Sequence, residues 1–173
     1  MSGVVWAGAL VVAVAAGWLD WRSRRIPNWL TLPAFVFGVA ANTVAVGWEG
    51  TKFALAGAGL ALGLLLPLVV LRGLGAGDWK LMGALGAYLG PKQILFILLG
   101  TIFIAGMMAL VQITRQRRWR VALGNLRELA GGFFIFGLRP HPRITLDNPG
   151  LLSLPFGVAV AVATILCYWG ARH

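Results

Sequence analysis

The sequence predicts an all-α, polytopic integral membrane protein with six transmembrane helices, and three observations predict it. Apolar residues come in near-continuous runs, 59% of the chain is hydrophobic, and only 5 of its 173 residues are acidic. A soluble domain of this length needs a largely polar surface, whereas lipid-facing helices do not. Glycine is also abundant, at 24 residues, as expected where membrane helices approach closely. Gly59/Gly63 and Gly86/Gly90 have the four-residue spacing that suits such contacts.

The first run, 3–19, is followed rather than preceded by the basic cluster Arg22, Arg24 and Arg25. A cleaved signal peptide has the reverse order, so this run is expected to be a retained helix ending in the cytoplasm. Runs at 29–47 and 53–71 have the roughly 17–25 residues that a helix needs to cross about 30 Å of hydrocarbon. The fourth, "KLMGALGAYLG" at 80–90, is short. It spans only if the backbone around Asp78 or Pro91 lies at membrane depth in a protein-lined cavity. Runs at 93–112 and 151–169 complete the six.

Charge supports that count. With six crossings and a cytoplasmic end to the first, all but Lys52, Lys92 and Arg172 of the 15 Lys and Arg side chains fall inside. This is the positive-inside bias, and five crossings would put the arginines of the 115–143 stretch outside. Both termini are then expected outside, in a multi-pass protein of the cytoplasmic (inner) membrane. The connection at 113–150 is long, basic and aromatic, and its expected role is an amphipathic helix on the anionic lipid of the cytoplasmic leaflet. "GGFFIFGL" within it is apolar enough to dip into the membrane. A single membrane-embedded domain, 1–173, includes this loop.

Several chemistries are poorly supplied. The net charge of +10 follows the membrane topology rather than a nucleic-acid surface. Cys167 is the single cysteine, so no CxxC pair, zinc knot or disulfide framework is available, and its expected role is that of a small hydrophobe. His141 lies in the basic loop and His173 is the last residue. Neither "HExxH" nor "GxSxG" occurs, and no Asp/Glu/His cluster suits a metal. Ser23 and Ser153 lack an evident His partner. "GLGAGD" has no βαβ unit around it. No cofactor is expected.

Two carboxylates stand out. Asp20, in "GWLDWRSRRIPNWLTLP", and Asp78, in "GLGAGDWK", fall at the same depth on the same side under this topology. Glu49, Glu128 and Asp147 have no comparable setting. Two carboxyl groups sharing a partly dehydrated space hold one proton between them. The ionised member can take a proton from water while the protonated member polarises a peptide carbonyl, which is aspartyl hydrolysis.

Gly73, Gly75 and Gly77 allow a tight turn beside Asp78, and helix-start amides favour its negative form. Pro27 fixes the exit from the basic turn, and Asn28 or Thr31 is available to cap the second helix. A purely structural alternative remains open. Arg24 lies four residues after Asp20, where an ion pair forms, and a turn could bring Lys80 to Asp78. Two other functions also stay open: a proton-coupled transporter or channel using the same carboxylates, and a noncatalytic secretion scaffold.

At the two aspartates the sequence resembles the type IV prepilin peptidase family of GxGD membrane aspartyl proteases, particularly its short archaeal-preflagellin and Flp/Tad-type members. The matching pieces are "DWRSRRIPNWLTLP" at 20–33 and "GLGAGDWKLMGALGAYLG" at 73–90, with "GAGD" at 75–78 fitting GxGD. The resemblance covers about 5–111 and, more loosely, "LPFGVAVA" at 154–161, which is similar to a Pro-Phe-Gly element with Val158 where proline is common. It implies that Asp20 and Asp78 are catalytic and that Gly75 and Gly77 support them. It also implies cleavage of the short basic leader of pilin-like or preflagellin-like membrane precursors at the cytoplasmic face. Larger relatives add a region with paired CxxC motifs and N-methyltransferase activity; here the resemblance implies peptidase activity without methylation or zinc.

Overall fold

The computed structural model describes residues 3–117, 119, 123–124 and 155–171. Its elements are α-helices: α1 (Gly3–Ser23), α2 (Asn28–Val46), α3 (Trp48–Val70), α4 (Ala76–Arg115) and α5 (Phe156–Gly170). The expectation of six transmembrane helices is corrected by this arrangement. Five helices are present among the described residues, and four of them, α1 to α4, are long and apolar enough to cross a membrane.

The predicted fourth and fifth segments are two helical arms, 76–89 and 91–115, that run into one 40-residue element through a kink at Gly90. No loop separates them, because the interruption is confined to Gly90, at φ 73° and ψ −179°, directly before Pro91. A hydropathy run ends at Pro-Lys, but one glycine conformation open to no other residue is enough to redirect the backbone without a connection. The predicted sixth, α5, has 15 helical residues, fewer than the roughly 20 of a span. The charge count that rested on six crossings falls with it. The expected amphipathic loop helix, the membrane dip of "GGFFIFGL", and Glu128, His141, Asp147 and Ser153 lie outside the described residues.

The first arm of α4 is the centre of the molecule. Every residue from Leu81 to Gly90 is buried, as in a helix surrounded by other helices. Close packing uses absent side chains. A Cβ on Gly57 would overlap the carbonyl of Gly86 and the backbone of Gly90, so α3 and α4 meet backbone to backbone. Of the two predicted glycine pairs, Gly86/Gly90 takes part in that contact, while Gly59 and Gly63 face open space.

α5 lies along α1. Gly17 and Ala161 meet near one end, and the Trp6 and Tyr168 rings lie 5.5 Å apart near the other. The helices α2 and α3 join through the single residue Gly47, at φ 67°, whose N–H donates to the Thr43 carbonyl at 2.7 Å. Exposed tryptophans, among them Trp18, Trp21, Trp29 and Trp48, sit near helix ends, where an indole ring suits a membrane–water interface.

Candidate functional site

α1 ends one turn after Asp20. Arg24 adopts φ 53°, and its backbone N–H donates to the Asp20 carbonyl at 2.9 Å, closing the helix. A left-handed residue at this position is a common helix stop, although glycine usually provides it. Pro27, at φ −77° and ψ 149°, is the N-cap of α2 and its carbonyl accepts from Leu30 at 3.1 Å. Neither residue expected to cap α2 does so. Asn28 is already the first helical residue, and the buried Thr31 Oγ1 has no hydrogen-bond partner.

Asp78 is in the first turn of α4, three residues after the N-cap Gly75. From that position a carboxylate reaches back to the N-cap N–H, and Gly75 donates to Asp78 accordingly. Gly77 serves packing. A Cβ there would come within 2.9 Å of the Ile26 carbonyl oxygen, so its absence lets the α1–α2 turn rest on the start of α4. Ile26 is buried in that contact. Lys80 was expected as a charge partner of Asp78, but its Nζ donates to Asn28 Oδ1 at 2.9 Å. The first turns of α2 and α4 are thereby tied together. The indole N–H of Trp79 donates to the Leu62 carbonyl at 2.8 Å and ties α4 to α3.

Asp20 is only 6% exposed and Asp78 is half-buried. The two carboxyl groups are near enough for the charge of Asp20 to bear on Asp78, and Arg24 in turn acts on Asp20. Asp20 has a partner that the sequence did not announce: the N–H of Gly157 donates to its Oδ2 at 2.7 Å. Gly157 is in the first turn of α5, where amide groups have no intrahelical acceptor. Its N-cap is Pro155, which offers no side-chain bond, so a carboxylate from α1 supplies it. The signal available in the sequence was the "PFG" of 155–157, which has no polar side chain and gives no chemical reason to be placed at a carboxylate.

Each carboxylate is therefore held at a helix N-terminus, Asp78 by its own helix and Asp20 by α5. Helix dipoles and unpaired N–H groups favour negative charge there. Carboxyl groups in such a setting can give and take protons. The apolar groove on α1 lined by Leu10, Val11, Val14, Ala15 and Trp18 lies on the face opposite Asp20, by helical periodicity, and is separate from the site.

Residues 7–110, a span that contains both aspartates, match the model of the type IV leader peptidase family. The chain is also similar to the prepilin leader peptidase/N-methyltransferase of Xanthomonas campestris pv. campestris, at 30% identity over 142 residues, covering 75% of this chain and 49% of that protein. The protein of the same description from Legionella pneumophila is 32% identical over 111 residues, covering 61% of this chain and 39% of its own length. The chain spans about half the length, or less, of these curated relatives. No solved structure matches it.

Proposed function

The chain belongs to the type IV leader peptidase family, and on that premise we propose that it is a membrane aspartyl endopeptidase that removes the basic leader from type IV, Flp-type or preflagellin-like precursors. Asp20 and Asp78 are its catalytic residues. One carboxylate takes a proton from a water held between them, the other polarises the scissile carbonyl, and water attacks without a covalent enzyme intermediate. Of the two activities in the relatives' names, the peptidase is the one assigned, because the family match spans both aspartates.

The observation that carries this reading is that Asp20, in the last turn of α1, and Asp78, in the first turn of α4, lie within electrostatic reach of one another where the α1–α2 turn rests on the start of α4. Gly75 holds Asp78, Gly77 seats the preceding turn, and the Lys80–Asn28 bond braces the helix starts. Arg22, Arg24 and Arg25 follow Asp20, and Arg72 and Lys80 flank Asp78, at the same ends of α1 and α4. By the positive-inside rule these ends form a cytoplasmic rim, with the Trp6 and Tyr168 ends of α1 and α5 towards the outer face. Anionic lipid is the natural neighbour of these cations, and the precursor's own membrane insertion brings its cleavage site to them.

The test is reconstitution of the full chain in proteoliposomes with candidate precursors. The parent is expected to release the leader. Asp20→Asn and Asp78→Asn are each expected to fold and to lose about 10²- to 10⁴-fold in cleavage rate, the range of a general acid or base. Parent-like processing by either variant overturns the catalytic pair.

A further inference from the structure

Gly157 lies outside the span matched to the family model, yet it makes a short polar contact to Asp20. Its N–H reaches Oδ2 at 2.7 Å, a length typical of a hydrogen bond to an ionised oxygen. The contact exists because position 157 has no side chain. A Cβ there would be 2.9 Å from the Asp20 Cβ and 3.2 Å from both the Ala16 carbonyl oxygen and Asp20 Oδ2. The first of those atoms belongs to the backbone-proximal part of its side chain and the second to the backbone of α1, so neither can swing aside. Any residue larger than glycine must push the start of α5 away from Asp20. Phe156 packs against the core on one side of Gly157, and Val160, one turn later, is fully buried. The amide is thus delivered by a helix anchored in the core.

We propose that Gly157 is a positioning residue of the peptidase: its backbone N–H fixes the orientation of the Asp20 carboxylate towards the water shared with Asp78, making the start of α5 the third wall of the active site. This rests on the peptidase reading of Asp20 and Asp78. Asp20 lies in the last turn of α1, where the charge of Arg24 also acts on it, and the Gly157 N–H is the donor that reaches its Oδ2 from another helix. A backbone donor fixed on Oδ2 gives the carboxyl group a preferred plane. Removing the donor leaves the same chemical groups in place but lets the plane rotate, and misplacement of a reacting group by about 1 Å costs on the order of 10²-fold.

Two variants of the full chain test this. Gly157→Ala is expected to lower kcat by about 10- to 100-fold with KM for the precursor within about twofold. Val160→Ala, which opens a cavity in the same helix without touching Asp20, is expected to lower thermal stability and leave kcat of the folded enzyme near the parent value. Parent-like kcat in Gly157→Ala, or an equal loss of kcat in Val160→Ala, overturns the proposal while leaving the peptidase reading intact. A parent that cleaves no precursor overturns the peptidase reading and this role together.

A second measurement does not depend on the folding of Gly157→Ala. Exchange of the Gly157 amide with solvent, read residue by residue in the parent and in Asp20→Ala, is expected to accelerate about tenfold or more when the acceptor is gone. Unchanged exchange overturns the proposal even if activity is lost.

Discussion

The two ends of the first arm of α4 face the same physical problem and solve it with different chemistry. At the rim, helix starts leave backbone N–H groups without acceptors, and carboxylates take them: Asp78 accepts from Gly75 and Asp20 from Gly157. At the far end, Pro91 has no N–H for the Ala87 carbonyl, and the turn of Gly90 removes the helical donor for Tyr88. There the amide of Asn42 donates to the Ala87 and Tyr88 carbonyls at 2.9 and 3.0 Å. A neutral amide satisfies broken backbone as well as the fold requires. Serine, threonine or asparagine could have capped the rim helices just as neutrally. The use of two ionisable groups close together, where their charges oppose one another, is what a purely structural account of the rim leaves unexplained.

Exchanging the two chemistries should break the comparison in opposite ways. Asparagine at 20 or 78 still offers a carbonyl oxygen to Gly157 or Gly75, so Asp20→Asn and Asp78→Asn should keep the fold and lose nearly all cleavage, the largest expected effect. Aspartate at 42 cannot donate to Ala87 and Tyr88 and would bury a charge without a partner. Asn42→Asp should therefore lower stability by about 3–5 kcal/mol, measured by thermal or denaturant unfolding in detergent, with cleavage by the folded fraction preserved.

Asn42→Ala sharpens the same point at smaller scale. It removes the donor without adding charge, and the expected loss is about 1–3 kcal/mol. Proteolytic nicking near Gly90 should rise in proportion as that break loosens. Smallest of all is the brace between helix starts. Asn28→Ala or Lys80→Met removes an exposed hydrogen bond and should cost about 0.5–1.5 kcal/mol at most, with cleavage changed far less than by either aspartate variant. A large loss of stability in Asp20→Asn, or a large loss of cleavage in Asn42→Ala, would erase the distinction between the two ends.

Much of this was legible residue by residue. α1 and α2 follow their apolar runs to within a few residues and Pro27 marks the turn between them, whereas α3 begins at Trp48, five residues before its run, and the turn at Gly47 falls inside the second run. Asp20 and Asp78 could be singled out because carboxylates beside long apolar runs are rare and costly. Other features were less visible. Gly90 reads as one of a packing pair with Gly86, and only its φ shows the kink that joins two apolar runs in one helical element. Lys80 sits two residues from Asp78, yet reaches another helix to find Asn28. Asn42 lies in an unremarkable stretch of α2, and its partners are main-chain carbonyls, which have no letter in a sequence. Gly157 is missed for the same reason, since its contribution is an N–H that every residue but proline possesses.

What the sequence determined by itself was solvent and inventory: helices rich enough in apolar surface to prefer lipid, and only five carboxylates with which to do chemistry. The tertiary structure decided which of those groups meet and what holds them. Hydropathy is a local sum along the chain, whereas the Asp20–Gly157 bond and the Asn42 contacts depend on helix crossings set by missing side chains at Gly157 and Gly38 and by the turn at Gly90. Backbone donors and acceptors become specific only when a neighbouring helix comes close enough to use them.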